Sequence, residues 1–207
     1  MAKNSQVVPK TEVALLKKEL GTREKEHKRA LKVQAALYKI ADAASATRDL
    51  QAFYKKVHKI VGGLMYAENF FIALYDETTK VVSWPYFVDM VDDTPPEPRV
   101  IDDGPVSRSG TVFVIRNGSP IHASRQDAEE LVKQGVLELE GPLDEDWIGI
   151  PLKSGKQTIG ALVVQSYLKD VRYSDDDFKL LIFVAQHIST ALTRASLAWK
   201  RTWRSAA

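Results

Sequence analysis

The apolar positions change period along the chain. From Thr11 to Gly63 they return every three or four residues, the mark of amphipathic helices. Ser45-Ala46-Thr47-Arg48-Asp49 interrupts the pattern. Either Thr47 or Asp49 can cap a second helix, whose apolar face is Leu50, Phe53, Val57, Ile60, Val61 and Leu64. In the first helix Val13, Leu16, Leu20, Ala30, Leu37 and Ala41 form a seam that Arg23, His27 and Gln34 interrupt. Such a weak heptad seam suits a paired helix in a bundle better than a long independent coiled coil. Residues 1–11 are expected to be a disordered tail, with Pro9 blocking an earlier helical start.

After Gly63 the period becomes that of strands. Asn69 to Asp76 is a dense run of aromatic and branched residues, Glu77-Thr78-Thr79-Lys80 a turn, and Val81 to Asp89 a second strand completing a hairpin. Pro85 cannot donate to a ladder, so the second strand is expected at a sheet edge or bulged there. Residues 90–106, with Pro95-Pro96-Glu97-Pro98, are expected to be loop. A short helix is predicted near Ser107 to Arg116, stopped by Asn117-Gly118. Pro120 to Ala123 reads as a short strand. Ser124-Arg125-Gln126-Asp127 has the spacing of a capping box, opening a helix that ends at Gly135. Residues 136–146 read as a second, acidic loop.

The last third contains two strands, 146–153 and 157–166, joined by Ser154-Gly155-Lys156. The second is apolar through its middle and is expected to be central. Ser174 then caps a final helix with Phe178, Leu181, Ala185, Ile188, Leu192, Ala195 and Trp199 on one face. Its roughly 25 residues span about 37 Å, longer than the body needs. Its far end is expected to pack on the first helix or on a second copy of the chain.

Composition narrows the chemistry. The 207 residues are 44% hydrophobic and 27% charged, enough for a core. There is no cysteine, which excludes disulfides, thiolate zinc sites and cysteine nucleophiles. No apolar run is long enough to span a membrane, and the first residues do not open a signal peptide; a cytoplasmic location is expected. Net charge is uneven: +5 over residues 1–32, −7 over 33–193 and +4 over 194–207. Basic ends can meet nucleic acid or a membrane surface, or be solvated helix faces. No aromatic–basic interleaving favours nucleic acid. Asp175-Asp176-Asp177 suits the positive end of a helix dipole better than a metal. His122 and His187 read as packing or surface residues. No Ser-His-Asp order, phosphate-binding glycine loop or metal-ligand helix motif occurs, so no catalytic set is expected.

Three stretches, in this order, resemble a GAF domain, the small-molecule sensor module: Asn69 to Asp76, Thr111 to Pro120, and Trp147 to Lys153 through Gly160 to Tyr167. The final helix, Phe178 through Ile188, fits as well. Ser83-Trp84-Pro85-Tyr86-Phe87-Val88-Asp89 is similar to a subgroup found ahead of diguanylate cyclase or histidine kinase domains in bacterial signalling proteins. The resemblance covers about residues 35–195. It leaves 12–34 as an N-terminal signalling or dimerisation helix and 196–207 as a C-terminal helix extension. It implies an α+β sandwich: a central antiparallel sheet, long terminal helices on one face, and a cover of loops and short helices on the other. Two departures stand out. The subgroup's Gly-Leu-Thr is Ser109-Gly110-Thr111 here. The cysteines of bilin-binding GAF domains and of the free-methionine-sulfoxide reductases are absent, which excludes both chemistries.

The resemblance also implies a cavity between sheet and cover. The expected ligand-binding residues are Trp84, Tyr86, Phe87, Asp89, Arg99, Ser109, Gly110, Thr111, Trp147 and Gln165. Aromatics can stack on a planar ligand, Asp89 can accept from ring N–H groups, and a helix N-terminus near Ser107 to Gly110, with Arg99 and Arg108 in the cover, favours an anion. A cyclic nucleotide satisfies both features and is the leading expectation. The alternatives are that the aromatics fill the core and the arginines make surface ion pairs. Two function classes follow. One is a sensor, homodimeric through its first and last helices, signalling to an output domain such as a diguanylate cyclase or histidine kinase. The other is a ligand-free dimerisation module. The chain stops soon after the final helix, as a fragment of a larger sensor or a free-standing module would.

Overall fold

A computed structural model describes residues 10–46, 49–101, 108–138 and 141–205. Thr47, Ser107 and most of the expected N-terminal tail lie outside those residues, as does the Trp199 side chain. Eleven elements follow in order: α1 (Lys10–Ala46), α2 (Leu50–Gly62), β1 (Asn69–Asp76), β2 (Val81–Val88), β3 (Arg99–Val100), α3 (Gly110–Asn117), β4 (Ile121–Ser124), α4 (Arg125–Lys133), β5 (Asp146–Ser154), β6 (Gln157–Ser166) and α5 (Asp175–Ser205). Helix α1 already includes Lys10 and Thr11, which the sequence assigned to the tail. Helix α5 runs 31 residues, longer than its apolar repeat suggested. Strand β3 is a correction too. Despite three nearby prolines, Arg99 and Val100 pair with Val82 and Val81.

The six strands form one antiparallel sheet in the order β3-β2-β1-β6-β5-β4. Strands β1 and β6 lie at its centre, as the apolar run of β6 predicts. One face carries the larger core. Phe70 and Ile72 of β1, Ile148 and Ile150 of β5, and Leu162 and Val164 of β6 pack there against Phe53, Val57 and Val61 of α2 and Leu181, Val184 and Ile188 of α5. The other face carries Phe71, Ala73, Ala161 and Val163, covered by Val114 and Ile115 of α3. The chain therefore has the α+β sandwich of the expected type.

Strand β2 changes sides part-way along. Ile72 pairs with Tyr86 and Leu74 with Ser83, so two steps on β1 oppose three on β2. This bulge sits at Trp84-Pro85, where β3 has ended and the proline lacks a ladder donor. The Pro85 carbonyl accepts from Gln51 Nε2 of α2 at 2.8 Å. Before the bulge Val82 and Trp84 face the cover; after it Phe87 does, and Tyr86 faces the helices.

Side-chain caps set the helix ends. Asp49 accepts from the Gln51 and Ala52 amides at the start of α2. Ser124 and Asp127 form the full capping box of α4. Asp177 closes the equivalent box at α5, accepting from Ser174 N at 2.9 Å and Ser174 Oγ at 2.7 Å. Its second oxygen takes Arg29 Nη2 of α1 at 3.0 Å. Below that contact α1 packs on the core through Ala36, Ile40, Ala43 and Ala44, with Leu37 partly buried beside them. Leu37, expected in a pairing seam, is thus engaged within its own chain. Toward the N-terminus Leu15, Leu16, Leu20 and Leu31 are exposed.

Replacing Leu181, which is fully buried, by Ala leaves a cavity in the helix–sheet core and is expected to cost about 2–5 kcal/mol. Arg29→Ala removes an ion pair whose guanidinium is 53% exposed and is expected to cost at most about 1 kcal/mol. Urea unfolding of both variants measures the difference.

Candidate functional site

Between sheet and cover lies a cavity of about 440 Å³. The bulge builds its sheet wall. Because β2 reverses its facing at Pro85, Trp84 and Phe87 both reach the cavity, joined by Phe71 of β1, Trp147 of β5 and Gln165 of β6. The Phe71 and Phe87 rings lie 5.6 Å apart. Phe113 of α3 and Leu131 of α4 line the opposite side. Glycine at position 110 favours close packing of α3 on the Trp147 ring. A Cβ there would come within 3.3 Å of the Trp147 ring.

Nine of the ten residues expected from the sequence line this cavity: Trp84, Phe87, Asp89, Arg99, Ser109, Gly110, Thr111, Trp147 and Gln165. Tyr86 does not, and is corrected. The bulge turns it to the helical face, where its ring meets Tyr54, His58 and Phe70. His58 Nε2 lies 2.7 Å from the Ala67 carbonyl, which can only accept, so that nitrogen carries the proton. Nδ1 then accepts from the Tyr86 hydroxyl at 2.8 Å. Tyr86 is therefore a structural residue.

A polar triangle closes one end of the cavity. Gln165 Nε2 donates to Asp89 Oδ2 at 2.8 Å and to the Tyr167 hydroxyl at 2.7 Å. The hydroxyl in turn reaches Asp89 Oδ2 at 3.3 Å. Asp89 Oδ1 accepts from the Val91 and Asp92 amides, which holds the chain in a tight turn after β2. Fully buried Asn69 fixes both sides of this end. It donates to the Gln165 carbonyl at 2.9 Å and accepts from Met90 N at 2.8 Å.

Asp144 escaped the sequence reading. It lies at the cavity wall, and its Oδ1 is buried without a hydrogen-bond partner among the described residues. Its neighbours explain why it sits there. Arg125 donates to the Leu143 carbonyl at 2.8 Å and to Glu145 Oε1 at 2.9 Å, and Arg172 donates to Glu145 Oε2 at 3.0 Å. Two arginines thus staple the residues on either side of Asp144 to α4 and to the chain before α5. Burial, and after it the charge of Asp89, push the Asp144 carboxyl up to about 7; Arg125 pulls the other way more weakly. Burial and the charges of Asp144 and Asp89 likewise raise the Tyr167 hydroxyl, keeping it a neutral donor.

The cations do not face the cavity as an anion site requires. Arg99 lines it but stacks 5.1 Å over the Trp84 ring. Arg108 pairs with Glu138 at 3.5 Å, and its carbonyl accepts from Glu138 N, tying the loop after α4 to the entry of α3. Ser109 uses its hydroxyl to cap Val112 N. His122 and His187 lie outside the cavity. His122 Nε2 is 2.9 Å from Asp146 Oδ1, and the His187 ring packs on Phe183. Among the described residues no group of His, Asp and Glu is arranged to hold a metal, and no helix is long and apolar enough to cross a membrane.

The model of the GAF domain family matches residues 47–193, more than two thirds of the chain. The protein belongs to the GAF family. Solved structures agree on the fold. The GAF domain of a Coxiella burnetii phosphoenolpyruvate-protein phosphotransferase is 12% identical with a TM-score of 0.65, covering 83% of this chain and 98% of its own. Its Acinetobacter counterpart is 13% identical with a TM-score of 0.63, covering 79% and 94%. The free methionine-R-sulfoxide reductase of Neisseria meningitidis, solved with its substrate, is 16% identical with a TM-score of 0.61, covering 83% and 93%. At such identities the likeness concerns the fold alone. This GAF domain has no cysteine and so no thiol for redox chemistry. No curated protein matches it in sequence.

The raised Asp144 carboxyl predicts a pH signature. The folded protein keeps a proton that the unfolded chain releases near the ordinary carboxylate value of about 4. Stability should therefore fall as pH rises from about 4 to about 7, and this contribution should level off above that. Asp144→Asn removes the effect. Its melting temperature is expected to exceed the parent's by several degrees at pH 8 and to match it near pH 4.5. Thermal unfolding across that range checks the convergence.

Proposed function

We propose that this GAF domain is a sensory module of bacterial signalling that binds one small molecule between sheet and cover and transmits through its terminal helices. The observation that carries the reading is the cavity itself. It is walled by aromatics from four elements, closed by a fully hydrogen-bonded polar triangle, and lined by carboxyl groups that a filled core would not hold. A GAF domain of a sensor histidine kinase from Pseudomonas syringae, 12% identical with a TM-score of 0.57, shares the fold. It supports the idea of an output domain of histidine kinase type joined through α5.

The cyclic nucleotide expected from the sequence fits only half of the cavity. A base edge suits Gln165 and Asp89. A phosphate would face Asp89, Asp92, Glu138 and Asp144, opposed by Arg99 and the N-terminus of α3. Charge therefore favours a ligand other than a nucleotide.

Transmission rests on α1 and α5. The apolar residues Leu15, Leu16, Leu20 and Leu31 on α1 have no partner within the described chain and suit pairing with a second copy. Arg29 and Asp177 couple that helix to the first turn of α5. A ligand that shifts the cover can then bias two arrangements of the helix pair.

Native mass spectrometry of the untreated protein is expected to show a dimer carrying about one small molecule per chain. Leu16→Lys with Leu20→Lys should give a monomer. Gly110→Leu, which drives a side chain at the Trp147 ring, should give an empty dimer. A parent protein that is monomeric, or a Gly110→Leu variant that keeps the bound mass, overturns the corresponding half of the proposal.

A further inference from the structure

We propose that the cavity selects an organic cation: a protonated amine, amidine or guanidine on an aromatic or apolar body, its charged head against Asp144 and Asp89. This rests on the reading that the cavity is a ligand site and names the class of ligand it takes.

The argument is one of unmatched charge. Asp89, Asp92, Glu138 and Asp144 line the cavity, and among the described residues Arg99 is the only lysine or arginine that lines it with them; Glu138 is matched by Arg108 from outside, which leaves the three aspartates. Each nearby cation has other work. Arg99 lies over Trp84, Arg108 meets Glu138, and Arg125 bonds Glu145 and the Leu143 carbonyl. Asp89 has both oxygens occupied by hydrogen bonds, whereas Asp144 Oδ1 has none. Two carboxyl groups thus share one end of an aromatic cavity, and among the described residues no lysine or arginine forms an ion pair with either, Arg125 acting on Asp144 only through its charge. A buried carboxylate in that position is costly unless a cation or a proton compensates it.

In the empty protein a proton serves that purpose. The titratable and charged groups facing Asp144 are Asp89, Arg125 and the hydroxyls of Tyr167 and Tyr173, and burial outweighs the arginine. An incoming cation replaces the proton, and Asp144 binds it as a carboxylate. The aromatic rings suit the rest of such a ligand, since their faces attract cations and stack on planar bodies. A neutral ligand leaves the compensation to the proton and gains nothing from the carboxyl pair, and an anion worsens the repulsion.

The test uses matched probes that differ in charge: benzamidine, tyramine and tryptamine; their neutral counterparts benzamide, tyrosol and tryptophol; and the anions benzoate and cyclic AMP. Isothermal titration of the intact protein is run at pH 6.0 and pH 8.0, at pH 6.0 in two buffers of different ionisation enthalpy. At least one cation is expected to bind at least about tenfold tighter than its neutral counterpart. It should release about one proton at pH 6.0 and much less at pH 8.0. In Asp144→Asn the cation's advantage should fall at least about tenfold, with the neutral probe unchanged. That pattern is not one a merely structural role would produce. Cations that bind no better than neutral or anionic partners, or not at all, overturn the proposal, as does binding without proton release at pH 6.0. Gly110→Leu separates the two readings. If it abolishes binding of neutral or anionic probes, the cavity is a site and only the charge assignment falls. If it leaves all binding intact, both fall.

Discussion

One extra residue in β2 determines what the site can be. In an unbroken strand Trp84 and Tyr86 would share a face and Phe87 would lie opposite. The bulge at Trp84-Pro85 reverses the alternation, so Trp84, Phe87 and Asp89 all serve the cavity while Tyr86 serves the helix layer. Both layers depend on that reversal. Without it Asp89 would leave the triangle with Gln165 and Tyr167, and His58 would lose the hydroxyl that its unprotonated nitrogen accepts from. The Pro85 carbonyl, bonded by Gln51, fastens the irregular stretch to α2. The helix layer and the cavity face are therefore joined through a few residues of one strand.

Charge gives the cavity its character. The chain places carboxylates at its wall and engages the neighbouring arginines elsewhere, chiefly in holding backbone. Arg125 and Arg172 compensate Glu145 and in doing so fix the segment that carries Asp144. The result is a partly buried site whose charge balance is incomplete among the described residues. Such a site recognises charge more strongly than shape, because completing the balance removes a desolvation cost already present.

The two long helices divide their surfaces between the core and solvent. The second half of α1 and the broad apolar stripe of α5 are committed to the sheet. The first half of α1 extends from the domain with its leucines exposed. A single ion pair at the start of α5 marks the point where one role gives way to the other. With the arginine side chain half exposed, this contact adds little to the hold of α1 on the core.

Local chemistry made much of this legible in advance. The capping residues Asp49, Ser124 and Ser174 announced three helix starts, the changes in apolar period separated helices from strands, and the apolar run of β6 placed it at the centre. Most of the cavity wall was legible too, because motif order implied the sandwich and the sandwich implied a cover. What could not be read was which way each side chain faced once the pairing became irregular. Pro85 foretold an edge or a bulge, but only the ladder with β1 decides on which residue the alternation reverses, and so Tyr86 was misassigned. Asp144 was hidden for a related reason. It sits in an acidic loop with no periodicity, and its burial comes from arginines distant in sequence. The sequence alone determined every element but β3, and their order, since those follow from contacts a few residues apart, whereas β3 exists only by pairing with β2. The tertiary structure decided the facing and the charge environment, since both depend on strands and loops brought together from across the chain.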